Sequence, residues 1–235
     1  MIDARTRDPG PRALGEAERR RIAIDASIEA LLAVGRERAP VGEDHARAIA
    51  WLSRRTAERL ELLTRSEIEA VERTALLHDI GTIGIPDRVL RKPGPLTDDE
   101  WELMRMRPVI GARILANLPP VAHLASNVRA VNEHWDGRGY PDGLHGAEIP
   151  LAARITHICM SYSAMTSVRP YRKPLGRAWA INALRDHSGT QFDPNVVEAI
   201  VAVLTDPEPE PGWPPDSGGH PAHVRQTAAS SVSSE

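Results

Sequence analysis

The sequence predicts an all-α domain. Three observations lead there. Apolar residues recur at helical spacing in segment after segment. Those segments open on capping signals and stop at Gly or Pro. Aromatic residues make up only 4% of the chain, so the core must come from Leu, Ile, Val and Ala. At 235 residues the chain is long enough to enclose one sizeable core.

The elements follow in order. The segment from about Ala17 to Val34 reads as a helix with Ile22, Ile24, Ile28, Leu31 and Leu32 near one stripe, closed by Gly35. A second helix follows Asp44, with Ala48, Ile49, Leu52 and Ala57 on one face. Ser66-Glu-Ile-Glu69 has the form of a capping box and opens a third, running through Val71, Ala75, Leu76 and Leu77 to His78. Gly81, Gly84 and Pro86 enforce a loop. Thr97-Asp-Asp-Glu100 is a second capping box, and Pro108 must kink or split the helix it starts. Val121 to Asn132 reads as helical, and "WDGRGYPDGLHG" (Trp135 to Gly146) as a turn-rich loop. Pro150 suits a first helical position. A further helix spans about Leu175 to His187 with Gly189 as its stop, and Asp193-Pro194 opens the last, to about Leu204.

This organisation gives a disordered or partly helical extension over 1–20, one helical domain over 21–205, and a Pro- and Ser-rich tail over 206–235. The tail is too polar to offset the entropy of ordering it, and is expected to be disordered. A net charge of −3 gives no field suited to nucleic acid or an anionic membrane. The single cysteine, Cys159, excludes an intramolecular disulfide. Neither a signal-peptide core nor a membrane-length apolar run occurs. A cytoplasmic protein is expected, with no nucleic-acid or membrane partner.

The chemistry-bearing stretch is "ALLHDIGTIGIPD", Ala75 to Asp87. It sets His78 and Asp79 side by side at a helix end, and His45 lies on an earlier helix. Imidazole and carboxylate suit first-row metals, but three such groups do not by themselves make a site. Further text carries a resemblance: "LLHDIGTIGIPDRVLRKPGPLTDDEWELM", "HWDGRGYPDGLHGAEIPLAARI", "AMTSVRPYRKPL" and "GTQFDP". From about Ile24 to Leu204 the chain resembles an HD-GYP domain, a branch of the HD superfamily of metal-dependent phosphohydrolases. The signature Gly139-Tyr140-Pro141 is intact.

That resemblance implies an HD-GYP-type helical bundle around a di-metal centre of iron or manganese that hydrolyses cyclic di-GMP. It assigns His45, His78 and Asp79 as metal ligands, with Asp79 also counted as catalytic. It implies His where Arg107 stands, one or two His at Val131 and Asn132, Asp at Met160, a frequent second Asp at Ser163, and a Lys at Thr82. Arg107 offers no lone pair and carries a permanent positive charge. Valine cannot ligate, and thioether is poorly matched to iron or manganese in an oxygen and nitrogen shell. The expectation is a domain that has lost its metal centre and needs no cofactor, with His45, His78 and Asp79 as an insufficient remnant.

Such a domain would act in cyclic-dinucleotide signalling by binding cyclic di-GMP or a related nucleotide, or a protein. Arg107, with Arg169, Arg172 and Lys173 of "VRPYRK", is the candidate phosphate-binding set. The loop Gly139-Tyr140-Pro141 is the surface on which the resemblance places a diguanylate cyclase partner. Two alternatives stand beside this. One is an active phosphodiesterase with a reduced or rearranged iron or manganese site, to which His134 or His157 could add a ligand. The other is a pure protein-interaction module.

Overall fold

The computed structural model describes residues 15–37, 43–61, 63–167 and 175–206. The candidate cations Arg169, Arg172 and Lys173, and nearly all of the C-terminal tail, lie outside them. Among the described residues the regular structure is helical, apart from two isolated β-bridges. The helices are α1 (Glu16–Arg36), α2 (Glu43–Arg59), α3 (Arg65–Leu77), α4 (Asp87–Leu90), α5 (Asp98–Arg105), α6 (Arg107–Ala116), α7 (Ala125–Arg129), α8 (Leu151–Thr166), α9 (Arg177–Asp186) and α10 (Pro194–Thr205).

Helices α2 and α3 form a hairpin. The start of α2 meets the end of α3, with the His45 and His78 rings 6.5 Å apart, and Arg54 reaches Glu72 at 2.8 Å between them. Helices α8 and α10 pack against this pair, and α9 packs against α8 and α10. The shared core includes Ile49 and Leu52 of α2, Val71 and Ala75 of α3, Ile155 and Ile158 of α8, Leu184 of α9 and Ile200 of α10. A second cluster joins Ile24, Ile28 and Leu32 of α1 to Leu77, Ile80, Leu115, Leu124 and Val128. Removing one such Ile or Leu from water stabilises the fold by about 1.5–3 kcal/mol. The two clusters meet along α3, so its last turn is gripped from both sides and His78 is held at the seam.

The caps explain where helices start. Thr97 accepts from the Glu100 N–H while Glu100 accepts from the Thr97 N–H, as the sequence implied. Asp193 likewise accepts from the Asn195 N–H at 2.9 Å, and Pro194 is the first residue of α10. Pro108 splits the predicted helix into α5 and α6.

Five expectations are corrected. Helix α3 starts one residue before Ser66: Thr64 is its cap, paired reciprocally with Glu67. Leu63 before this cap and Ile68 after it both pack against the core, at the two positions of a hydrophobic staple that a Ser66 cap would lack. Gly35 does not stop α1, which continues to Arg36. Ile22 is 46% exposed, because two residues of helix turn it about 200° from Ile24. The stretch 121–132 is not one helix but a 3-10 turn, Ala122–Leu124, followed by the short α7 and tight turns. Pro150 caps α8 from just outside, with Leu151 as the first helical residue.

Candidate functional site

Three elements converge on one seam. His45 lies in the first turn of α2. His78 and Asp79 follow the end of α3. Arg107 begins α6. A backbone interlock fixes the last two: a Cβ on Gly81 would sit 1.9 Å from the Arg107 carbonyl oxygen and 2.8 Å from the Gly111 nitrogen. Only glycine lets the 3-10 turn Ile80–Gly84 lie so close to α6.

His78 is buried, and its Nδ1 lies 2.7 Å from the Ala75 carbonyl oxygen. A carbonyl only accepts, so Nδ1 carries the proton and Nε2 holds the lone pair of the neutral ring. That backbone contact is the kind of orienting bond metal-ligating histidines use. Nε2 lies 3.6 Å from Asp79 Oδ2. The His45 and His78 rings are tilted at 60° with centroids 6.5 Å apart, and His45 Nδ1 lies 3.3 Å from Ser163 Oγ. The structure therefore brings His45, His78 and Asp79 to one place, with Ser163 of α8 beside them.

Arg107 occupies the same place. Its Nη1 is 2.9 Å from Asp79 Oδ1, and its side chain is only 19% exposed. The Arg107 Nε is buried without a hydrogen-bond partner among the described residues. The Asp79 carboxylate thus already faces a cation that is part of the chain.

The remaining positions are apolar or occupied otherwise. Val131 is 1% exposed and packs with Ala130, Ile149 and Ala153, and the half-buried Met160 closes onto them. Asn132 is buried; its backbone carbonyl accepts from the Tyr140 N–H at 3.1 Å, while its Nδ2 has no hydrogen-bond partner among the described residues. Thr82 is buried in the 3-10 turn. His134 and His157 form a group of their own, with centroids 5.4 Å apart and Phe192 against His157 at 5.5 Å. Gln191 Nε2 lies 2.9 Å from His157 Nε2. Burial pushes the His157 imidazole down to about 4 and lowers that of His134 as well.

Among the described residues, no group of three His, Cys, Asp or Glu side chains is placed to hold a metal ion. The donor set does not fit a di-metal centre. His45, His78 and Asp79 are too few, Asp79 is ion-paired to a guanidinium, and the neighbouring positions are Val131, Met160 and Asn132.

The Gly139-Tyr140-Pro141 loop is built tightly. A Cβ on Gly139 would lie 2.2 Å from the His134 nitrogen and 2.4 Å from the Glu133 Cα. The buried Glu133 accepts from the Asp142 N–H at 2.7 Å, and Arg129 grips Asp142 with two bonds of 2.6 and 2.7 Å. Arg105 lies over the Tyr140 ring, 5.7 Å from its centroid. The loop is thus tied to the end of α5 and to α7. Sequence reasoning missed the Asp79–Arg107 contact and the Arg154–Asp193 pair, at 2.6 Å, that ties α8 to the cap of α10. No local pattern announces either contact, since each joins residues far apart in the chain.

Matches to known proteins agree with this architecture. The sequence profile of the HD domain family matches residues 29–196. The chain belongs to that family, in its HD-GYP branch. It is 40% identical over 161 residues to a cyclic di-GMP phosphodiesterase of Thermotoga maritima, covering 68% of this chain and 44% of that protein. It is 33% identical over 159 residues to a Vibrio cholerae phosphodiesterase described as specific for 3'3'-cGAMP, covering 67% of this chain and 30% of the relative. The chain therefore spans less than half the length of these curated relatives. An HDG"Y"P protein of Bdellovibrio bacteriovorus shares the fold with a TM-score of 0.59 at 17% identity, over 81% of this chain and 65% of that one. No described helix is long and apolar enough to cross a membrane.

Proposed function

We propose that this chain is a degenerate HD-GYP-type domain of cyclic-dinucleotide signalling, impaired in catalysis, that binds a nucleotide or a protein partner. The observation that carries this reading is the 2.9 Å ion pair between Arg107 and Asp79. A guanidinium there neutralises the carboxylate, repels a metal cation and attracts a phosphate. The phosphodiester would be held and not cleaved, since no bridged hydroxide is generated. Arg107 is the central phosphate contact, with Arg169, Arg172 and Lys173 as further cations of the same set. The relatives' described substrates, cyclic di-GMP and 3'3'-cGAMP, supply the ligand class. The closely tied Gly139-Tyr140-Pro141 loop is the surface for a diguanylate cyclase domain.

Titration calorimetry with cyclic di-GMP, paired with a turnover assay in added manganese or iron(II), tests this. Binding without hydrolysis is the expected result. Hydrolysis abolished by Asp79→Ala would overturn the reading. One observation favours the active alternative: the His78 Nδ1 contact with Ala75 leaves Nε2 poised as a ligand. In that case His45, His78 and Asp79 would hold a reduced iron or manganese site.

A further inference from the structure

We infer that Asp79 is the resident occupant of an anion seat on Arg107, and that a phosphate group binds this chain by displacing it. This rests on the nucleotide-binding reading above and adds what controls the site. Three features carry it. The Arg107 side chain is largely enclosed, and its ion-pair partner among the described residues is Asp79, at 2.9 Å. Its Nε is buried and has no acceptor among the described residues, so the guanidinium is under-satisfied where it stands. The two residues are clamped together through backbone, because Gly81, two residues after Asp79, fills its missing Cβ space with the Arg107 carbonyl.

An enclosed guanidinium with an unanswered N–H prefers an acceptor with several oxygens in a fork. A phosphodiester offers two equivalent oxygens and can bridge Nη1 and Nη2, taking the edge that Asp79 Oδ1 meets through Nη1. Asp79 is 42% exposed, so it can turn to water when the phosphate arrives. Binding and breakage of the Asp79–Arg107 pair are then one event. Affinity is reduced by whatever free energy that pair holds in the unliganded protein.

A double-mutant cycle read by calorimetry with cyclic di-GMP tests this. Asp79→Asn keeps the side-chain shape and removes its claim on Arg107. It is expected to tighten binding about tenfold, within the usual range of site coupling. Arg107→Gln is expected to weaken binding, and the double variant to bind no better than Arg107→Gln alone, or below detection. If Asp79→Asn tightens binding equally in both backgrounds, Asp79 acts by simple repulsion and the displacement idea is overturned. If Asp79→Asn leaves affinity unchanged while Arg107→Gln weakens it, displacement fails and nucleotide binding at Arg107 stands. If neither the wild type nor Asp79→Asn binds, the nucleotide reading itself fails, and this inference with it. Melting temperatures of all four proteins confirm that each is folded.

Discussion

Asp79 Oδ1 lies 2.9 Å from Arg107 Nη1, and the two residues reach each other from the end of one helix and the start of another. The cation at this seam is therefore part of the chain. Restoring the donors that the HD-GYP resemblance implies should reverse this. The triple variant Arg107→His, Asn132→His and Met160→Asp is expected to take up manganese that the parent does not, measured as metal per chain after desalting. Arg107→Ala alone is expected to gain little, since it adds no lone pair.

Gly81 should be irreplaceable on steric grounds. Its missing Cβ would lie 1.9 Å from the Arg107 carbonyl oxygen, a backbone atom that cannot swing aside. Gly81→Ala is expected to cost about 1–3 kcal/mol or more, as overpacking does, seen as a lower urea midpoint. Gly35→Ala, inside α1 where a Cβ meets no described atom within 4 Å, is the control and should hold or raise the midpoint.

Stability should fall with acid through His157. Burial pushes its folded pKa down to about 4 from an ordinary value of 6.5, with the His134 ring adding to the shift. The unfolded chain binds that proton first, so the contribution is fully present above pH 6.5 and is lost as pH falls towards 4. The loss amounts to about 3 kcal/mol by linkage. Urea midpoints from pH 7 to 4 measure it. His157→Gln should flatten the slope, because the amide takes up no proton.

Cys159 should be silent in the native state. It is fully buried, and burial pushes its thiol up to about 12. A chromogenic disulfide reagent at pH 8 is expected to react only at the rate of unfolding, and at once in denaturant.

Much of the fold was legible because its signals are local. Thr97 with Glu100, Pro108, and Asp193 with Pro194 each declare a helix end within a few residues. The errors came where two local signals competed or where tertiary packing decided. Thr64 and Ser66 both have a Glu three residues on, and the packing of Leu63 and Ile68 on the core favours Thr64. Ile22 fits a loose apolar stripe, but the tighter row Ile24, Ile28 and Leu32 faces the core. At the site, the coming together of His45, His78 and Asp79 was legible through resemblance. Which group faces Asp79 was not, because Arg107 comes from a separate helix whose approach depends on Gly81. His157 shares a helix with Met160, but its partners Gln191, His134 and Phe192 lie elsewhere in the chain, so periodicity could not place it.

Metal content tests the central claim most directly. The chain is incubated anaerobically with excess iron(II) or manganese(II), desalted, and submitted to elemental analysis. The Asp79–Arg107 pair predicts well under one equivalent retained per chain. Two equivalents retained per chain, and lost in Asp79→Ala, would contradict it.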